Sequence, residues 1–273
     1  MDIKSKLEDW INKTGYPLEL ITESILFESD YNIINSHIYH DTENSIYREL
    51  DLFATKYWGK DNKLGFNFNL IIECKKSTKP FLLLTKNSST LDNFSLGEIY
   101  GIDDIMSRVM LSGSPKTISL PEKTGYGFKL IQGFTTSDET IYKAINTIIK
   151  SYNYYQENEN ENETDHKEEN LHSIGIPLLI IDAPFFSLYI NKNSGVVIND
   201  IECGILRVKT HLSRFEHEPV PIIIIQKESI IKLLKSIDEF GESFYKYLIS
   251  NPEYNINNID NLEIELVEKK NKD

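Results

Sequence analysis

The stretch Val220-Pro221-Ile222-Ile223-Ile224-Ile225 constrains this chain more than any other, because nothing in it alternates. A strand with one wet face reads apolar, polar, apolar. A strand that is apolar throughout is buried on both faces and needs cover above and below. Residues 176–182 (IPLLIID) read as another strand, and helices to supply the cover are spaced along the chain. Ile141, Ala144, Ile145, Ile148, Ile149 and Tyr152 fall on one helical stripe, behind a capping box of Thr136 and Glu139. Ile230, Leu233, Leu234, Ile237, Phe240, Phe244 and Leu248 fall on another, over residues 227–249. Near the start, Ile3, Leu7, Trp10 and Ile11 predict a helix stopped by Gly15, and Leu18, Ile21 and Ile25 a second one opened by Pro17.

With 273 residues, 40% of them hydrophobic, the chain has enough to fill one large core. No Pro/Gly-rich linker divides it. We therefore expect a single α/β domain over residues 1–252, a mixed β-sheet flanked by helices with additional C-terminal strands and a helix. Residues 253–273 read as a loose polar tail, and residues 157–169 (ENENENETDHKEE), which lack any apolar side chain, as a disordered acidic loop.

Three further strands are expected at 31–39, 46–55 and 69–77. In the second, alternation sets Leu50 and Leu52 on one face and Glu49 and Asp51 on the other. In the third, Leu70, Ile72 and Cys74 share one face while Ile71, Glu73 and Lys75 share the opposite one. Carboxylates amid apolar strands are costly to bury without a partner or a metal. The spacing of 22 residues from Asp51 to Glu73 allows the two strands to be antiparallel neighbours joined by a long hairpin loop.

Charge narrows the functional classes. The net charge of −13 argues against a general nucleic-acid binder, which is normally basic. The balance reverses locally, however: between Arg48 and Lys86 eight basic residues face four acids. No apolar run is long enough to span a bilayer, and the start leads into an amphipathic segment rather than a signal-peptide core, so a cytoplasmic location is expected. Cys74 and Cys203 are expected to stay reduced there.

Asp51, Glu73 and Lys75 form the pattern Asp…(Asp/Glu)-x-Lys. Four other (Asp/Glu)-x-Lys matches exist, at Asp2, Asp61, Asp165 and Glu268, all in polar, terminal or loop-like stretches. Only Glu73-Cys74-Lys75 follows a buried run and a strand with its own inward carboxylate. Phosphodiester hydrolysis needs a hydroxide near neutral pH and a counter-charge for the phosphate. Mg²⁺ (or Mn²⁺ as substitute) on Asp51, Glu73 and the Cys74 carbonyl would lower the pKa of a water and polarise the phosphate. Lys75 would orient the attacking water and offset phosphate charge. A buried Lys–Glu–Asp ion network without chemistry is the plainer alternative, one that cores rarely favour over apolar packing.

Gly15-Tyr16-Pro17-Leu18-Glu19, Arg48-Glu49-Leu50-Asp51-Leu52 and Glu73-Cys74-Lys75 with Ser77, Lys79 and Pro80 together resemble the PD-(D/E)XK (restriction-endonuclease-like) nucleases, bacterial members with a helix–strand–strand–strand opening in particular. The resemblance covers residues 15–80 and departs from the family name in one place, where Leu50 stands in front of Asp51 instead of proline. It implies a restriction-endonuclease-like core with Asp51 and Glu73 holding the metal, Lys75 serving the nucleophile, and Glu19 on the preceding helix completing the site. DNA is the expected substrate, with RNA open, and Arg48, Lys76 and Lys79 are the expected nucleic-acid contacts. A homodimer or a partner subunit is compatible with this. The rival from another class is a catalytically silent nucleic-acid-binding or assembly subunit that keeps the nuclease-like fold. Weaker candidates have plainer explanations: Glu49 as a surface partner of Arg48, and Tyr152, Tyr154 and Tyr155 as the cap of a helix end rather than a base-stacking platform.

Overall fold

The computed structural model of the chain describes residues 2–60, 64–86, 118–162, 171–208 and 220–250. Two helices, α1 (Ile3–Ile11) and α2 (Tyr16–Glu28), lead into a meander of β1 (Asn32–Asp41), β2 (Ile46–Lys60) and β3 (Leu64–Lys76). There follow β4 (Phe81–Thr85), β5 (Thr124–Gln132), α3 (Glu139–Asn162), β6 (Leu171–Asp182), β7 (Phe185–Asn191), β8 (Gly195–Asp200), β9 (Cys203–Val208) and β10 (Val220–Gln226). A turn of 3₁₀ helix (Lys227–Ser229) then opens α4 (Ile230–Ser250). The strands form one mixed sheet in the order β1-β2-β3-β6-β10-β9-β5-β4-β7-β8. The protein is thus α/β with a ten-stranded mixed sheet flanked by helices, and no described helix is long and apolar enough to cross a membrane.

The strands that carry no alternation are the central ones. β6 lies between β3 and β10 and runs parallel to both. On one face, Leu18 and Leu26 of α2 and Leu233, Leu234, Ile237, Phe240 and Phe244 of α4 pack against Leu70, Ile72, Leu178, Ile180, Ile223 and Ile225. On the other, Ile141, Ala144, Ile148 and Ile149 of α3 meet Leu179, Ile181, Ile222 and Ile224. Each strand therefore presents alternate isoleucines and leucines to two different helix layers, and burying one such side chain is worth about 1.5–3 kcal/mol.

Only Ala183 and Pro184 separate β6 from β7, yet five pairings lie between them in the sheet. Five strand spacings laid flat span about 24 Å. Three residue steps reach about 11 Å. The sheet must therefore curl, and the inside of the curl is filled by Phe81, Leu83, Phe185 and Leu206. Glycine is required there. A Cβ on Gly204 would press on Leu83 and Phe185.

Several expectations need correction. β2 and β3 run on to Lys60 and from Leu64, so long strands, not a long loop, fill the interval between Asp51 and Glu73. β4 (Phe81–Thr85) was not expected; it pairs with β5 and β7. The helix α3 continues through Asn162, so the acidic stretch begins as helix; residues 163–169 and the tail from 253 lie outside the described residues. Tyr152, Tyr154 and Tyr155 consequently sit inside α3 rather than at its end. There Tyr155 stacks on Phe53 and His37, and Tyr154 tilts against Tyr39. Ser137, not Thr136, takes the Glu139 N–H, at 3.2 Å.

Candidate active site

The local backbone explains why Asp51 is where it is. In the β1–β2 ladder Asn35 pairs with Leu52 and His37 with Leu50, but Ser36 and Asp51 between them do not pair. Ser36 has φ 49°, a left-handed conformation uncommon for a residue with a Cβ. Both strands change faces at this point. Leu52 and Ala54 pack with the α2/α4 layer, whereas Leu50 packs with Tyr39, Ile71 and Tyr152 on the α3 side. Simple alternation, which sets Leu50 and Leu52 on one face, fails for this reason. On β3 the expected alternation holds: Cys74 joins the α2/α4 layer and Ile71 the α3 layer.

The β2–β3 ladder has its last pair at Leu52 and Ile72. Beyond it, side chains take over from the backbone. The Cys74 N–H donates to Asp51 Oδ2 at 2.7 Å, and the Asp51 N–H donates to the Glu73 carboxylate. This exchange fixes both acids relative to the strands that carry them. Lys75 Nζ then lies among three oxygens: Glu73 Oε2 at 2.7 Å, the Cys74 carbonyl at 3.0 Å and Asp51 Oδ2 at 3.4 Å. Glu73 is buried; Asp51 and Lys75 are partly open to solvent, their side chains 21% and 25% exposed.

Burial pushes the Glu73 carboxyl up to about 7, against the pull of the Lys75 ammonium and with a further push from the Asp51 charge. For Lys75, burial works against the charge, but the Glu73 and Asp51 carboxylates outweigh it and keep the ammonium protonated. Glu19, in the first turn of α2, is raised by burial and then by Asp51, so its carboxyl stands within electrostatic reach of the group. The Cys74 thiol points away toward Thr22 Oγ1 at 3.8 Å, and both cysteines are free and buried.

Asp51, Glu73, Lys75 and the Cys74 carbonyl thus come together, with Glu19 as a neighbour. Among the described residues, no group of three or more His, Cys, Asp or Glu side chains is close enough to hold a metal ion by itself. The donor set available to a cation is two carboxylates and one main-chain carbonyl. All are hard oxygens of the kind Mg²⁺ takes while keeping several waters, so the residues present fit such an ion.

The expected nucleic-acid contacts are spread differently. Arg48 is committed to Asp41, with Nε at 2.6 Å from Oδ2, and not to Glu49. Lys76 is exposed and donates to the Asn12 carbonyl at 2.7 Å; Lys79, also exposed, donates to the Phe134 carbonyl at 3.1 Å. Asp41 is the charged residue that sequence reading overlooked. It precedes a turn and takes the Asn44 N–H, so it looked like ordinary turn chemistry. It is also reached by Lys150 from α3 at 2.8 Å. Comparison with protein families, with curated proteins and with solved structures gives no match to this chain.

Proposed function

We propose that this chain is a metal-dependent nuclease with a restriction-endonuclease-like core, hydrolysing phosphodiester bonds and acting first of all on DNA. The observation that carries the reading is the nest of Asp51 Oδ2, Glu73 Oε2 and the Cys74 carbonyl around one cationic position, the Lys75 ammonium, at the carboxyl end of β3. The opening order of helix and three antiparallel strands, α2-β1-β2-β3, agrees with the resemblance over residues 15–80. A buried Glu73 carboxyl near neutrality is a group whose charge a cation would favour.

In this reading Asp51 and Glu73 hold the divalent ion together with the Cys74 carbonyl, and Glu19 adds negative charge from α2. The ion, when bound, supplies Lewis acidity at the scissile phosphate. Lys75, kept protonated by its two carboxylate neighbours, has three N–H donors with which to orient the attacking water and a phosphate oxygen. Lys76 and Lys79 offer exposed charge to the flanking phosphates.

The test is cleavage of plasmid, linear and single-stranded substrates in Mg²⁺ or Mn²⁺. Asp51→Asn, Glu73→Gln and Lys75→Ala should each lower the rate by about a hundredfold or more. Lys75→Ala should still bind metal, since its role is with water and phosphate. Equal cleavage by wild type and Lys75→Ala would overturn the assignment. Tight binding of metal and nucleic acid by a wild type that never cuts would favour the silent-subunit alternative.

A further inference from the structure

β3, β6 and β10 are mutually parallel neighbours, so their carboxyl ends emerge on the same edge of the sheet. In parallel α/β sheets that edge is where ligands bind. Here it holds a cleft of about 590 Å³, within the range of roughly 300–1,000 Å³ typical of small-ligand sites. Its walls include Ser77 after β3, Asp182 at the end of β6, Gln226 at the end of β10, Glu202 before β9 and the first residues of α4. Nothing in the catalytic arrangement uses it.

The polar groups are individually fixed. Lys227 holds Asp182 Oδ1 at 2.7 Å, while Ser229 and Lys232 hold Glu202 Oε2 at 3.2 and 3.0 Å. The other oxygens, Asp182 Oδ2 and Glu202 Oε1, take part in none of these bonds. Ser77 Oγ accepts from the Lys79 N–H at 2.9 Å and from Gln132 Nε2 at 2.7 Å, which leaves its hydroxyl hydrogen to donate. The cleft therefore offers two fixed carboxylate acceptors and one hydroxyl donor. Three lining carboxylates against one lining lysine repel phosphate, so an uncharged ligand with an N–H-rich edge fits best.

Position identifies the ligand class. Ser77 lies two residues past Lys75, about 6.6 Å along the chain, and Lys76 pairs with Asp182 in the sheet. The cleft therefore adjoins the end of the strand that carries Lys75. We infer that the cleft is a nucleobase subsite that selects a base bearing an exocyclic amino group, the neighbour of the scissile phosphate. The inference rests on the nuclease reading for its choice of ligand. Carboxylates accept from amino groups such as cytosine N4, and Ser77 would donate to a ring nitrogen or carbonyl of the same base. A base with a carbonyl where cytosine has its amino group would face Asp182 and Glu202 acceptor to acceptor.

The experiment compares short oligodeoxynucleotides of cytosine and of uracil, which exchange the amino group for a carbonyl and the bare N3 acceptor for an N3–H donor. Their affinities are measured by fluorescence anisotropy in Ca²⁺. Wild type should prefer cytosine by about tenfold or more, and Asp182→Asn and Glu202→Gln should each bring the ratio toward unity. Equal affinities, no binding of either, or a preference that survives both substitutions would overturn the subsite. Should both variants lose the fold, the wild-type ratio alone decides. A wild type that discriminates the two but cuts neither in Mg²⁺ or Mn²⁺ keeps the subsite and removes the nuclease reading. One that cuts both equally does the reverse.

Discussion

Asp41 and Glu73 are both buried carboxylates, and the protein treats them in opposite ways. Asp41 is surrounded by donors: Arg48 Nε at 2.6 Å, Lys150 Nζ at 2.8 Å, and the Asn44 side-chain and main-chain N–H groups at 2.9 and 3.3 Å. Burial works against its charge, but these bonds outweigh burial and hold the carboxyl well below the usual carboxylate range. Glu73 has one ammonium and one backbone N–H, shares the ammonium with Asp51, and is pushed up instead. Burial sets the cost of a charge, and the number of donors decides whether that cost is met. A saturated carboxylate is a clamp, here tying β1 and β2 to α3. An undersaturated one retains capacity for a further cation.

The comparison breaks most visibly at the clamp. Asp41→Asn leaves Lys150 facing Glu43 alone and Arg48 without its partner, so it should cost about 2–3 kcal/mol in urea unfolding, near the lower bound for a broken buried pair because Arg48 is partly exposed. A loss no greater than that of a surface substitution, about 0.5 kcal/mol, would remove the distinction between the two acids.

An effect of similar size should appear with metal. Because the folded Glu73 carboxyl is raised above its unfolded value, the folded state binds the extra proton between the two values. The associated stability is complete below about 4.5 and is lost as pH rises through about 7. A divalent ion competes with that proton, so Mn²⁺ should raise the thermal midpoint more on the alkaline side of this window than on the acid side. At a hundredfold excess over its Kd the gain is about 2.7 kcal/mol. A midpoint shift that is absent, or independent of pH, would remove Glu73 from the proposed metal site.

Glu73→Gln sharpens the contrast with Asp41→Asn. Without metal above neutral pH it removes a charge that burial already disfavours, and the net change should stay within about 1 kcal/mol. The pH dependence between about 4.5 and 7 should flatten at the same time. The smallest effects belong to Lys76→Ala and Lys79→Ala. Each loses one exposed bond to a carbonyl, costing under about 0.5 kcal/mol of stability, while nucleic-acid affinity falls with a reduced salt slope.

What could be read from the sequence was what depends on neighbours along the chain. Glu73 and Lys75 share a strand, and their relation to each other and to Cys74 follows from period-two alternation. The antiparallel meander and the helices with clean stripes were equally readable. Asp51 was identified as a residue but not in its geometry, because the left-handed turn at Ser36 that frees it has no signature when serine occupies the position. The strand β4, with its run Phe81-Leu82-Leu83-Leu84, carries no alternation to mark it. Its partners β5 and β7 lie far along the chain. The cleft at Asp182, Glu202 and Gln226 is a product of topology, since it exists only once β3, β6 and β10 lie side by side.

The place of β6 has a consequence for the order of assembly. β3 can pair with β2 early, since the meander is local, but its other edge stays open until β6 arrives from beyond α3 and slots between β3 and β10. Contacts of such sequence separation form slowly, and an apolar strand with an unpaired edge is exposed to association with other chains in the interval. Lys75 pairs with Ile181 in that late step. The strand that carries Glu73 and Lys75 is therefore finished among the last parts of the molecule, and a fragment ending before residue 171 would present its carboxylates on an uncovered, aggregation-prone edge.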